Sequence, residues 1–376
     1  VGDGEKIFKH DTDHPMKGKN SIWDGKEIKL RGLYNEVLGF QIIVEVDSTG
    51  AHGLEVSMAP PVHERSGQVI GGSGTIKYGP EGYIELFSQH YLNVRKPTEP
   101  NWFYGSENSA PVKMTGWIPD ALIPSDALSG KGGFPLIIPP TQEQIRRHQN
   151  IVEVIPKRPS VNQGFWIDLY LPRDKSFPDG MYRSEIRTWV NGNIVSKIPV
   201  EIELIDAYMP DENHSNVWVY NSGMDALKVY YPELDNQEIR RLIKREGHLH
   251  RLELVGGFEA HQSVFDEEIM KDYKPFLDGT AYTPANGYHG PGQGVGENLF
   301  PVGMYGGRVL GNTKEEMREE SDKWVRWFQE NAPGVTYFKY MIDEPGPAQY
   351  DFINKEAGWI KTNPGPGSKL KLQVTT

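Results

Sequence analysis

The chain has 376 residues and no cysteine. Disulfides, cysteine-ligated zinc and thiol nucleophiles are all excluded. No apolar run approaches the length needed to span a bilayer, so no membrane span is expected. Positive charge is in deficit: 40 Lys and Arg stand against 51 Asp and Glu, for a net charge of −11. That balance argues against nucleic acid as a partner. There is no internal repeat, no low-complexity tract and no visible leader. Val1 rather than Met opens the numbering, as expected if a leader was removed or if the numbering begins inside a longer chain. The lack of cysteine fits export, and the expected location is secreted or periplasmic.

What is present is core material and turn chemistry. Hydrophobic residues make up 37%, aromatic 11% and charged 24%, the balance of a soluble globular protein, and the length suggests two domains. With 41 Gly and 28 Pro, strands, turns and long loops are favoured over a helical bundle. The 9 Trp and 18 Tyr include side chains suited to sugar rings, although most aromatics serve as core.

The first half reads as strands: Glu27–Gly32, Val37–Asp47, Gly53–Met58, Tyr83–Tyr91, Phe165–Leu171, Met181–Val190 and Asn193–Asp206. Asn191-Gly192 between the last two is a strong hairpin signal. Irregular spacing and Pro-rich connections predict an antiparallel β-sandwich over residues 1–206. The Arg95–Gln144 loops, with Trp102, Phe103, Tyr104 and Trp117, are too long for plain connections and are expected to pack on the second domain or rim a site. The boundary falls near Asp206–Asn213.

From 207 to 376 strands and helices alternate, which predicts a parallel sheet. Val217–Tyr220, Arg251–Val255 and Leu370–Thr375 read as strands, and Gln349–Lys361 as a helix. Asp235 with Glu238 and Thr313 with Glu316 are capping boxes. Ile239, Leu242 and Ile243 are expected on one buried helix face, and Trp324, Val325 and Phe328 on another. The Gly-rich Pro284–Gly307 stretch is read as a long loop overhanging a pocket.

The most informative stretch is Gly334–Pro347. It reads as a buried strand ending at Asp343-Glu344, followed by Pro345-Gly346-Pro347. Carboxylates at the C-terminal end of a strand, before a helix, are where a (β/α) barrel keeps its chemistry. Pro345 is expected to hold Glu344 extended. Asp is also a favoured helix N-cap, so residue types alone leave catalysis and a structural cap both open. Adjacent carboxylates also leave no separate nucleophile at the usual spacing from an acid. Two close carboxylates would also push their pKa values apart and keep one protonated near neutral pH.

Other signals are weaker. His248-Leu249-His250 lacks a third ligand at a set spacing, so no metal site is expected. Asp11-Thr12-Asp13 lacks the Gly and distal Glu of a calcium loop. Gly256-Gly257 and Gly292–Gly296 are not phosphate loops, and no cofactor is expected. Tyr220, Asn221, His261, Tyr288, His289 and Tyr305 are the candidate sugar contacts, the last four equally readable as loop packing.

Several of these pieces occur in a recognisable order. Asn35–Gln41 (Asn-Glu-Val-Leu-Gly-Phe-Gln), Phe165–Pro172, Pro178–Tyr182, Ala207–Pro210, Leu249–Leu252 and Asp343-Glu344-Pro345 together resemble glycoside hydrolase family 123 over nearly the whole chain. The resemblance implies a β-sandwich followed by a TIM-type (β/α)8 barrel. It also implies a β-N-acetylgalactosaminidase that uses the substrate's own 2-acetamido group as nucleophile. Asp343 would orient that group, Glu344 would be the general acid/base, and His250-Arg251 would brace the barrel. The barrel would be incomplete here: about 250 residues are usual, and far fewer follow the boundary. The carboxylate strand would be about the fourth. A second chain or a further segment is expected to complete it. The rival reading is a non-catalytic carbohydrate-binding or structural protein on the same two domains.

Overall fold

Alternation of side chains along β1 (Ile28–Tyr34) places Ile28, Leu30 and Tyr34 on a buried face and Lys29 and Arg31 in solvent. The computed structural model describes residues 1–2, 4–71, 83–95, 116–125, 135–140, 142–144, 160–221, 227–229, 231–256, 264–304 and 310–375. They form two units, Val1–Met209, which is β, and Pro210–Thr376, which is α/β.

In the first unit β1 is followed by β2 (Val37–Glu45), β3 (Ala51–Met58), β4 (Val62–His63), β5 (Tyr83–Val94), β6 (Gly116–Pro124), β7 (Leu136–Ile138), β8 (Asn162–Tyr170), β9 (Gly180–Val190) and β10 (Asn193–Tyr208). One sheet has the order β1-β10-β9-β3-β7, with β4 also on β9; the other is β2-β8-β5-β6. Both feed one apolar core: Phe40, Ile42, Phe165 and Ile167 come from the second sheet, and Leu30, Val56, Ile186 and Ile202 from the first. The turn from β9 to β10 is the expected hairpin, with Asn191 (φ 49°) and Gly192 (φ 73°) both left-handed.

Two expectations are corrected. The first sheet is mixed, because β1 pairs in parallel with β10, from Ile28 opposite Val200 to Gly32 opposite Leu204. These strands are remote in sequence, so no tight hairpin dictates their direction. The Arg95–Gln144 stretch also carries β6 and β7; Trp117 is on β6, while Trp102, Phe103 and Tyr104 lie outside the described residues.

In the second unit the order is β11 (Trp218–Asn221), α1 (Asn236–Leu249), β12 (Glu253–Gly256), α2 (Glu267–Leu277), β13 (Leu299–Pro301), α3 (Lys314–Asn331), β14 (Thr336–Tyr340), α4 (Pro347–Lys361) and β15 (Lys371–Gln373). Every strand pairing described in this unit is parallel. Both capping boxes form, at Asp235/Glu238 and Thr313/Glu316. Strand β13 interrupts what the sequence suggested was one long loop, and β14 is the fourth described strand of the unit.

Between β12 and β13 a side chain replaces the ladder: Glu253 accepts from the backbone N–H of Asn298 (2.7 Å) and Leu299 (3.0 Å). Three strand spacings would separate β11 from β14 by about 14 Å in a flat sheet. Yet Trp218 of β11 meets Phe338 and Tyr340 of β14 at ring-centroid distances of 6.2 and 6.1 Å. The strands therefore curl around a small core of Trp218, Val255, Leu299, Met304, Phe338 and Tyr340. Tyr337 points the other way and stacks on Phe328 of α3 at 4.5 Å.

Helix α1 departs from the simple apolar pattern. Ile239 is buried, but Leu242 is 46% exposed, and the buried face continues through Arg240, Lys244 and His248. The cause is a polar partner: Lys244 Nζ meets Glu297 at 3.0 Å with both side chains almost fully buried. Tyr282 donates to the same carboxylate at 2.8 Å. On α3, Trp324, Val325 and Phe328 are all buried as expected.

Candidate active site

The parallel ladders put the C-terminal ends of β14 and β15 side by side, with Tyr340 opposite Gln373. Beyond these ends lie Asp343-Glu344 and Thr375. Tyr340 is the last residue of β14 and turns inward with Phe338. Its hydroxyl donates to Asp343 Oδ1 at 2.5 Å. Thr375 Oγ1 donates to the same oxygen at 2.7 Å and accepts from Glu344 N–H at 3.0 Å. The two hydroxyl oxygens are 2.9 Å apart.

The cap reading of Asp343 is not met. Helix α4 is capped at Gly346, whose N–H is taken by Gln349 Oε1 at 2.9 Å. Asp343 is not its N-cap. The Tyr340 hydroxyl first, and then that of Thr375, hold the Asp343 carboxyl below its ordinary value. Repulsion from Glu344, expected from adjacency, is not among the causes of that shift.

Glu344 is not extended. Its φ of 42° lies in the left-handed region, where a side chain costs about 1–2 kcal/mol. The hydrogen bond from its N–H to Thr375 holds the backbone there despite Pro345. Its exposed carboxylate makes no hydrogen bond or ion pair among the described residues.

The other candidates scatter. Asn221 ends β11 and is half-buried, and Tyr220 before it is 39% exposed. Both sit toward the C-terminal edge of the β11–β12 ladder. His261 and Tyr305 lie outside the described residues. Tyr288 is fully buried: its hydroxyl donates to Pro291 O at 2.6 Å, and its ring meets His248 and Tyr282. Tyr282 is tied to Glu297, just before β13, so Tyr288 and its neighbour His289 belong near the N-terminal edge of the strands. Tyr288 has no surface for a sugar, which corrects its candidacy, and this part of the loop overhangs no C-terminal pocket.

His248 and His250 also diverge. The first stacks on Tyr282 at 3.6 Å inside the unit; the second is exposed beside Glu246 at 3.2 Å. Sequence reasoning missed Tyr340 and Thr375. The inward phase of β14 could have flagged Tyr340, but nothing local marks Thr375.

No protein-family model matches the chain, and no curated protein matches it by sequence. Among solved structures the chain is similar to a family 123 glycoside hydrolase from Clostridium perfringens, described for glycolipid glycan hydrolysis. The TM-score is 0.52 at 11% identity, covering 93% of this chain and 59% of that one. The chain thus spans about three fifths of that protein's length, and the likeness is one of fold. A family 2 glycosyl hydrolase from Bacteroides cellulosilyticus has a TM-score of 0.18 at 8% identity, covering 83% of this chain and 38% of that one. A family 5 xyloglucanase from Bacteroides ovatus has a TM-score of 0.16 at 8% identity, covering 92% and 63%. Similarity that low supports nothing about this chain.

Proposed function

We propose that this chain belongs to a secreted or periplasmic glycoside hydrolase that cleaves a 2-acetamido sugar, a β-linked N-acetylgalactosaminide, with retention and substrate assistance. The supporting observation is the unequal state of two adjacent carboxylates at a strand's C-terminal end. Asp343 is pinned by two hydroxyls and kept ionised, while Glu344 is unengaged among the described residues. In this reading the acetamido oxygen attacks the anomeric carbon while Glu344 gives its proton to the leaving glycosidic oxygen. The ring nitrogen of the resulting oxazolinium carries positive charge, which Asp343 stabilises. Glu344, now a carboxylate, takes a proton from the water that reopens the ring, and the anomeric configuration is retained.

The reading extends to the fold. The first unit is taken as a β-sandwich and the second as the first half of a (β/α)8 barrel, completed by residues of a further segment or a second chain. The curl of the parallel strands supports this, as does the 59% coverage of the structural neighbour.

Nitrophenyl 2-acetamido-glycosides should be hydrolysed and plain glucosides and galactosides should not. A thiazoline mimic of the cyclised intermediate should inhibit strongly. A covalent sugar trapped on Asp343 or Glu344 would defeat substrate assistance. Sugar binding with no hydrolysis of any glycoside would favour a carbohydrate-binding protein instead.

A further inference from the structure

We propose that Tyr340 and Thr375 are positioning residues that fix the charge of Asp343 and the backbone of Glu344 as one unit; this rests on the reading of Asp343 and Glu344 as the catalytic pair. Each hydroxyl has one hydrogen to give. Tyr340 directs its hydrogen to Asp343 Oδ1 at 2.5 Å, and Thr375 directs its own to the same oxygen at 2.7 Å. With both spent, the 2.9 Å approach of the two hydroxyl oxygens has no hydrogen to share. Two donors converging on one oxygen favour the carboxylate over the acid, because hydrogen bonds to an ionised acceptor are the stronger ones.

The lone pairs of Thr375 do a second job. They accept the Glu344 N–H at 3.0 Å and so hold a non-glycine residue at φ 42°. One hydroxyl, carried just beyond β15, therefore sets both members of the pair. Tyr340 is built in from the other side, 2% exposed within the core that curls around Trp218. The network thus ties the carboxylates to two neighbouring parallel strands, not only to their own loop. Rigid support of this kind is what a site needs if its geometry must hold to within about half an ångström.

The test uses the full chain with Tyr340→Phe, Thr375→Val and Thr375→Ser. Phe and Val remove a hydroxyl at nearly constant shape, whereas Ser keeps it. Carbon-detected NMR of the Asp343 carboxyl reads the network without any enzyme assay. Its titration should move upward in Tyr340→Phe and Thr375→Val and stay in place in Thr375→Ser. In turnover, the acidic limb of the kcat/KM profile should move the same way. The kcat of Tyr340→Phe and Thr375→Val should fall about ten- to a hundredfold, as expected for losing a hydrogen bond to a charged group, with KM little changed. Unmoved Asp343 titration in both Tyr340→Phe and Thr375→Val overturns the proposal, as does a Thr375→Ser variant as impaired as Thr375→Val. Failure of wild-type protein to cleave any 2-acetamido glycoside would overturn the catalytic reading of the pair, and with it the positioning role. A shifted titration would then be only a charge-holding network, a pattern distinct from unshifted titration in an active enzyme.

Discussion

A side chain that does acid/base work must exchange its proton without dismantling its surroundings. Glu344 meets that condition, since its exposed carboxylate has no partner among the described residues. Glu344→Gln should lower kcat by about two to four powers of ten on a substrate with a poor leaving group. An activated aryl substrate should lose less in the glycosylation step. Wild-type rates on an alkyl glycoside would remove Glu344 from the role. Under the proposed mechanism Asp343→Asn keeps the shape but removes the charge that would face the oxazolinium, and should cost about 10²–10³ in kcat. The thiazoline should bind this variant less tightly, which inhibition kinetics can read. At this scale the sequence showed the two carboxylates through their place after an apolar strand. It could not show the hydroxyls, because Thr375 reaches Asp343 only through the β14–β15 register. Nor could it show the left-handed Glu344, because the rule for a residue before proline points to an extended conformation.

Elements were legible where short-range chemistry decides them. The capping boxes at Asp235 and Thr313 and the Asn191-Gly192 turn each depend on residues a few positions apart. The buried face of α1 was not legible, because it depends on Glu297, which is 53 positions from Lys244. That pair makes a prediction of its own. Lys244→Met would strand a buried carboxylate and should cost about 3–5 kcal/mol in chemical denaturation. The double replacement Lys244→Met with Glu297→Leu should cost less than Lys244→Met alone. A double variant as unstable as the sum of both singles would show that the ion pair is not the coupling between them.

For the whole molecule, the curl of the second unit brings carboxylates into close quarters. Burial first, and the charge of Glu297 next, push the Glu253 carboxyl from 4.5 up to about 8. Between those values the folded chain keeps a proton that the unfolded chain releases. Stability is therefore full below the lower value and declines as pH rises through the upper one, by roughly a few kcal/mol. Glu253→Gln should flatten that slope, as urea midpoints at about pH 5 and about pH 8 would show. The alternation of β with α was readable from the order of strand and helix patterns, and the parallel β1–β10 pairing was not. That pairing has a consequence for how the chain is made. In the β1–β10 ladder Ile28 pairs with Val200, 172 residues later. At about 5–20 residues per second, a ribosome takes on the order of ten seconds or more to supply the partner. Throughout that interval the β1 ladder waits for its partner, so this sheet can close only after nearly all of the first unit has been synthesised.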